Sequence, residues 1–250
     1  MQVPAVEWKG ALGMVKADRV AEILAEVQGS AAEGGGLADR LVRVGRDAMD
    51  VTGVGLSLMT GSGPSAVVAA TDGSARVIEE LQFSLGEGPC VDSVKTGLPV
   101  LHPDLSQTAS QLWPGFTTGA LDAGVAAVFA FPLQVGAITL GALDLSRESV
   151  GPLKDPDLRE AVALSAAATA LLLHLQMVSE PGDVHADLAD SLVDRSVVHQ
   201  ASGMVAVQLE ADLADALTVL RARAFASGRP IVEVAREVVA RKLRFSRDVV

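Results

Sequence analysis

Apolar positions in the first part of the chain change from a helical period to the alternation of strands. Residues 17–28 and 37–49 carry apolar side chains every three or four positions, which predicts two amphipathic helices. Alternating segments then predict the strands of two hairpins, residues 54–59 with 66–70 and residues 124–132 with 137–146. Helices, a sheet interrupted by short helices, and a long later helix together predict an α+β fold with a mainly antiparallel sheet.

The long helix predicted over residues 157–178 has heptad spacing. Its apolar residues recur at intervals of three and four: Ala161, Leu164, Ala168, Leu171, Leu175 and Val178. This spacing predicts a seam with a second copy of the chain, and ordinary packing against the chain's own sheet explains it as well. A helical connector follows, with a predicted break at residues 180–182, and such a connector can transmit a shift from one domain to the next.

Two stretches are apolar enough to raise the question of a membrane span. Residues 124–145 are interrupted by Pro132 and Gly136. Residues 161–178 contain several polar side chains and have no flanking aromatic belt. We therefore expect two buried strands and one packed helix, and no span.

Residues 196–250 differ from the rest in both pattern and charge. Their apolar stripes predict three short helices, too few to bury a core alone. They carry eight basic and six acidic residues, a net +2, whereas the whole chain carries −11. A basic C-terminal region in an otherwise acidic chain favours an anionic partner such as nucleic acid. Arginines that only keep short helices solvated explain so small a net charge equally well. The last basic residues are interpreted as helix-end charges: Arg241, Lys242, Arg244 and Arg247.

Composition sets the class of protein. A chain of 250 residues, 49% apolar, can bury one sizeable domain and a small one. Aromatic residues make up 3% and tyrosine is absent, so Ala, Val and Leu must fill the interior. The single cysteine excludes an internal disulfide, and the first residues lack the features of a signal peptide. We expect a cytoplasmic protein.

Few residues suggest catalysis or metal binding. Cys90 lies in a loop rich in Gly and Pro, where it is either a redox sensor or chromophore anchor, or a small buried residue. His102 and His174 have no second ligand at a familiar spacing, so we interpret both as core or interface histidines. No HExxH, CxxC, P-loop or GxSxG motif occurs, so we expect no enzyme activity, and the residues identify no cofactor.

The first part of the chain resembles a GAF domain of actinobacterial regulators. The resemblance covers residues 37–175 and rests on Leu85-Gly86-Glu87-Gly88-Pro89-Cys90, Gly97-Leu98-Pro99-Val100, Trp113-Pro114-Gly115-Phe116, Phe131-Pro132-Leu133 and Gly141-Ala142-Leu143-Asp144-Leu145. It implies a signal-receiving module with a small-molecule ligand that the fold does not specify.

The end of the chain resembles an ANTAR domain, an RNA-binding module of three helices. The matching residues are Gln200-Ala201-x-Gly203-Met204, Asp215-Ala216, Leu220-Arg221 and Ile231-x-x-Val234-Ala235. Ser202 stands where the family usually has a basic residue, and Leu217 stands where it usually has an aromatic one. The resemblance implies an RNA-binding surface formed by Gln200, Ser202, Gly203, Ala216, Leu217, Arg221 and Arg223.

Together the two resemblances predict an N-terminal helical segment (1–36), a GAF sensor domain (37–180) and an ANTAR domain (181–250). They imply a transcription antitermination regulator that binds tandem RNA stem-loops near terminators, and two stem-loops imply a homodimer. Two alternatives stay open. One is a dimerising protein-interaction regulator whose tail does not bind RNA, and the other is a redox or gas sensor with a bound cofactor.

Overall fold

The computed structural model describes residues 17–30, 34–60, 63–71, 73–107, 109–178 and 186–246. The predicted break at residues 180–182 and the basic residue Arg247 lie outside these ranges. The helices are α1 (Ala17–Gly29), α2 (Leu37–Ala48), α3 (Ser74–Leu85), α4 (Pro89–Thr96), α5 (Ala109–Leu112), α6 (Pro114–Asp122), α7 (Asp155–Val178), α8 (Ala186–Leu209), α9 (Leu213–Ala226) and α10 (Ile231–Val239). The strands are β1 (Gly53–Thr60), β2 (Gly63–Ala70), β3 (Val100–His102), β4 (Ala127–Val135) and β5 (Ile138–Arg147).

The five strands form one antiparallel sheet in the order β2-β1-β5-β4-β3. Both predicted hairpins are present, as β1–β2 and β4–β5. Gly136 supplies the positive φ of the second turn, with φ 61°. The predicted α+β fold with an antiparallel sheet is therefore confirmed.

Helices α1, α2 and α7 cover one face of the sheet and build the larger core. Phe129, Phe131 and Leu143 on the strands are at most 1% exposed, and Ile23 and Val27 of α1 lie in the same core. Helix α1 is thus part of the sheet domain's packing. The burial of these apolar side chains provides the main stabilisation of this layer.

The apolar stripe of α7 faces this core. Its residues Ala161, Leu164, Ala168, Leu171 and Leu175 are between 0% and 5% exposed. Packing against the chain's own sheet therefore explains the stripe, and its use as a dimer seam is wrong for this conformation. Among the described helices, only residues 155–177 have the length and apolar composition to cross a membrane, and 56% of that window is buried inside the protein.

Helices α3 to α6 cover the opposite face over a second core. Gly55 of β1 lies directly beneath Glu79 of α3, where a Cβ atom would overlap the carboxylate. This close approach lets Glu79 reach Asp144 on β5, which also accepts a hydrogen bond from Gln82 Nε2 at 2.8 Å. A polar cluster is therefore buried between the sheet and α3.

The last three helices form a third core. Asp212 caps α9, with its carboxylate accepting a hydrogen bond from the Asp215 N–H at 2.8 Å. Phe83 of α3 is 2% exposed and belongs to this third core. The sheet domain thus supplies an aromatic side chain to the core of the three-helix bundle.

Candidate nucleic-acid interface

Helix α8 divides the residues predicted to contact RNA between its two faces. Gln200 is exposed, and Gly203 is partly exposed with open space where a Cβ atom would lie. Ser202 is on the other face, 4% exposed, and its hydroxyl donates to the Val198 carbonyl at 2.8 Å. A basic side chain at position 202 would therefore start from a buried position, where an unpaired charge costs free energy.

Helix α9 buries two further residues of the predicted set. Ala216 is 0% exposed and Leu217 is 4% exposed, and both pack in the third core. The hydrophobic stripe of α9 faces α8 and α10, so a residue on it cannot reach a ligand in this conformation. Arg223 is exposed on the same helix.

Arg221 contacts the sheet domain. Its Nη2 donates to the Phe83 carbonyl at 3.1 Å, and its guanidinium lies against Gly86, where a Cβ atom would overlap it. Gly86 ends α3 in the left-handed conformation, with φ 68°. Arg221 thus places a positive charge at the carboxyl end of α3, where the helix dipole and the last carbonyl groups favour a cation.

Burial of Arg221 lowers its pKa to about 10. Its Nε has no hydrogen-bond partner among the described residues. Docking of α9 on α3 therefore desolvates a charged group and satisfies it only in part. A neighbouring contact, between α8 and the edge strand β2, completes the junction of the two domains.

An open groove lies on the exposed face of α8. It has a volume of about 620 Å³ and is lined by Gln200, Gly203, Met204, Val207, Gln208, Arg241 and Arg244. Two of the predicted residues, Gln200 and Gly203, are thereby brought together. The interpretation of Arg241 and Arg244 as helix-end charges missed that both arginines line this groove.

The sheet domain offers no activated thiol or metal centre in the described part of the chain. Cys90 is fully buried, and its burial, followed by the nearby Asp144 and Glu79 carboxylates, raises the pKa of its thiol well above 9.0. His102 is buried against the Trp113 ring at 4.8 Å, and its burial lowers its pKa. No group of three or more His, Cys, Asp or Glu among the described residues could hold a metal ion.

Comparison with known proteins identifies the C-terminal region. Residues 186–239 match the family model of the ANTAR domain. The chain carries an ANTAR domain. It follows a sheet domain with the antiparallel, helix-flanked arrangement that the GAF resemblance implied. No curated protein matches the chain.

Solved structures similar to the chain include several GAF domains. The GAF domain from an Acinetobacter phosphoenolpyruvate-protein phosphotransferase is 13% identical, with a TM-score of 0.47, over 65% of this chain and 95% of that one. The cyanobacteriochrome TePixJ GAF domain is 16% identical, with a TM-score of 0.45, over 57% of this chain and 90% of that one. These similarities indicate no ligand, and the actinobacterial type of the regulator stays a prediction.

Proposed function

We propose that the protein is a cytoplasmic, signal-responsive regulator that binds RNA through its ANTAR domain and promotes transcription antitermination. The match of residues 186–239 to the ANTAR family carries this proposal. The exposed groove on α8, which holds Gln200 and Gly203 beside two arginines, supports it. Tandem hairpin loops are the proposed target and a homodimer the proposed binding form, because two loops require two ANTAR domains.

The junction between the domains supports control of RNA binding by the sensor. The Phe83 side chain packs in the core of the ANTAR helices, and the Phe83 carbonyl holds Arg221. The loop after α3 leads directly to α4, where the Cys90 N–H donates to Gln82 Oε1 at 2.8 Å. A ligand that moves α3 or this loop would therefore alter the support of α9.

A protein-interaction regulator without RNA binding is the second candidate. The observation that favours it is the burial of Ser202, Ala216 and Leu217, together with the docking of Arg221 on the sheet domain. Only Gln200, Gly203 and Arg223 of the predicted set remain accessible in this conformation. The two candidates differ in one property, namely whether the protein has affinity for RNA.

In vitro transcription tests the proposed function. The template places paired hairpins upstream of an intrinsic terminator, and the measured quantity is the fraction of transcripts that read through. We expect the full chain to raise that fraction on a template with both hairpins and to leave it unchanged on a template with one. Equal termination with and without the protein on every template in a hairpin pool would refute the antitermination role.

A further inference from the structure

We propose that the groove between α8 and the C-terminal segment 240–246 binds a single unpaired nucleotide of an RNA loop. The proposal rests on the proposed function and assigns the contact with one nucleotide of the RNA loop to a defined subsite of the protein. Residues 240–246 lie beyond the part of the chain that matches the ANTAR family, which ends at residue 239. The second wall of the groove is therefore an addition outside the matched domain.

The C-terminal segment is held in a fixed position over α8. After α10 the chain reverses at Arg241, which has the left-handed φ of 58°. The Lys242 and Leu243 N–H groups then donate to the Glu237 carbonyl at 2.8 and 3.2 Å. This pattern ends the helix in the way that a left-handed residue normally does, although an arginine adopts that conformation at some conformational cost.

Two further contacts anchor the segment beyond the turn. Leu243 and Phe245 pack against the third core, and the Phe245 N–H donates to Gln208 Oε1 at 2.8 Å. Arg244, between these two anchors, is exposed and faces the groove with Arg241. The two guanidinium groups thus project from a segment whose backbone is fixed on both sides.

The lining of the groove has the chemistry of a nucleotide site. Met204 and Val207 provide an apolar surface, and Val207 is 79% exposed and therefore accessible to a ligand. A base presents a flat π-face that stacks on guanidinium planes and packs against apolar side chains. Gln200 and Gln208 add amide groups that can bond to the edge of a base.

Charge and size point to the same ligand. Among the described residues, the groove is lined by two arginines and by no carboxylate, although the chain as a whole carries −11. Arginines bind phosphate oxygens with two parallel hydrogen bonds. The volume of about 620 Å³ is within the range of small-molecule clefts, so the groove accommodates a single nucleotide.

The test uses three variants of the full chain with a matched control. Arg241→Gly removes one guanidinium and keeps a residue that favours the left-handed turn. Arg244→Ala removes the other guanidinium. Gly203→Leu fills the floor of the groove, where a Cβ atom meets nothing within 4 Å. Arg159→Ala removes one exposed charge on α7, in the sheet domain, and serves as the control.

Two readouts separate the roles of these residues, namely the affinity at several salt concentrations and the fluorescence of 2-aminopurine in the RNA loop. The probe is an RNA pair of hairpins selected from a pool with randomised loops, with 2-aminopurine replacing each loop purine in turn. We expect Arg241→Gly and Arg244→Ala each to weaken binding at least tenfold and to lower the log–log salt slope by about 0.7 per lost phosphate contact on an unpaired strand. Gly203→Leu should abolish the fluorescence change of one loop position and leave the salt slope unchanged.

Each outcome decides a separate question. If the wild type binds the RNA and all three folded variants bind it with an affinity within twofold of the wild type, the groove site is refuted. The proposed function is unaffected by that result. A pool that yields no RNA for the wild type refutes RNA binding and the groove site together. If an acidic peptide competes with the bound probe as effectively as the loop RNA does, the nucleotide assignment is refuted and the groove is identified as a peptide site. Circular dichroism confirms that each variant is folded.

Discussion

Replacing Asp144 by Asn should stabilise the protein at pH 7 to 8 and change its stability little near pH 4. Asp144 is 2% exposed, between β5 and α3. Burial raises its pKa from 3.8 to about 6, although hydrogen bonds from Glu79, Gln82 and Cys90 favour the charged form. Asn keeps the shape of the side chain, and its carbonyl oxygen can still accept the hydrogen bond from Gln82.

The size and sign of the effect follow from the pKa. A rise of about two pKa units corresponds to about 3 kcal/mol. The folded state binds the proton on Asp144 more tightly than the unfolded state does. The stabilisation that this proton contributes is therefore complete below about pH 4 and is lost as the pH rises through about 6. The Asn variant carries no such proton, so its advantage should grow to about 3 kcal/mol by pH 8.

Urea unfolding at pH 4, 5, 6, 7 and 8 measures this difference. Asp104→Asn is the control, because hydrogen bonds from Ser106 and Gln107 lower the pKa of that exposed carboxyl. Its replacement should be unfavourable at neutral pH, with the difference shrinking as the pH falls. An Asp144→Asn variant that is less stable than the wild type at pH 8 would refute the reasoning, since it would show that the buried carboxylate is charged and satisfied.

Three further predictions concern packing. Phe83→Ala should lower the free energy of unfolding by about 3 to 5 kcal/mol and speed hydrogen exchange in α9; unchanged exchange there would contradict the docking contact. Leu171→Glu with Leu175→Glu should unfold the sheet domain, because both charges enter its core, and a folded monomer by circular dichroism and light scattering would contradict that burial. Cys90→Ser should reduce stability by about 1 kcal/mol, and the wild-type thiol should resist Ellman's reagent until the protein unfolds; rapid reaction of the folded protein would show that the thiol is accessible.

The sequence predicted the hairpins and helices because each has a clear hydrophobic period. The same period did not identify the partner of α7, since heptad spacing shows which face is apolar and not what covers it. Leu171 and Leu175 meet the chain's own core. A seam between two subunits would have had the same pattern.

The prediction of the RNA-binding surface was incomplete for a different reason. Ser202 lies one position from Ala201 and four from Val198, so helical phase alone could have placed it on the buried face of α8. Arg221 gave no such signal, because its partner Phe83 is 138 residues away in the chain. Arg241 and Arg244 became part of a groove only because the segment after α10 folds back over α8.

The affinity of the full chain for paired RNA hairpins, measured by fluorescence anisotropy at several salt concentrations, tests the account most directly. The account predicts binding that weakens steadily as salt rises, that needs unpaired loops, and that is tighter for two hairpins than for one. No binding at low salt to any member of a hairpin pool would contradict it. Equal affinity for a duplex without loops would contradict it as well.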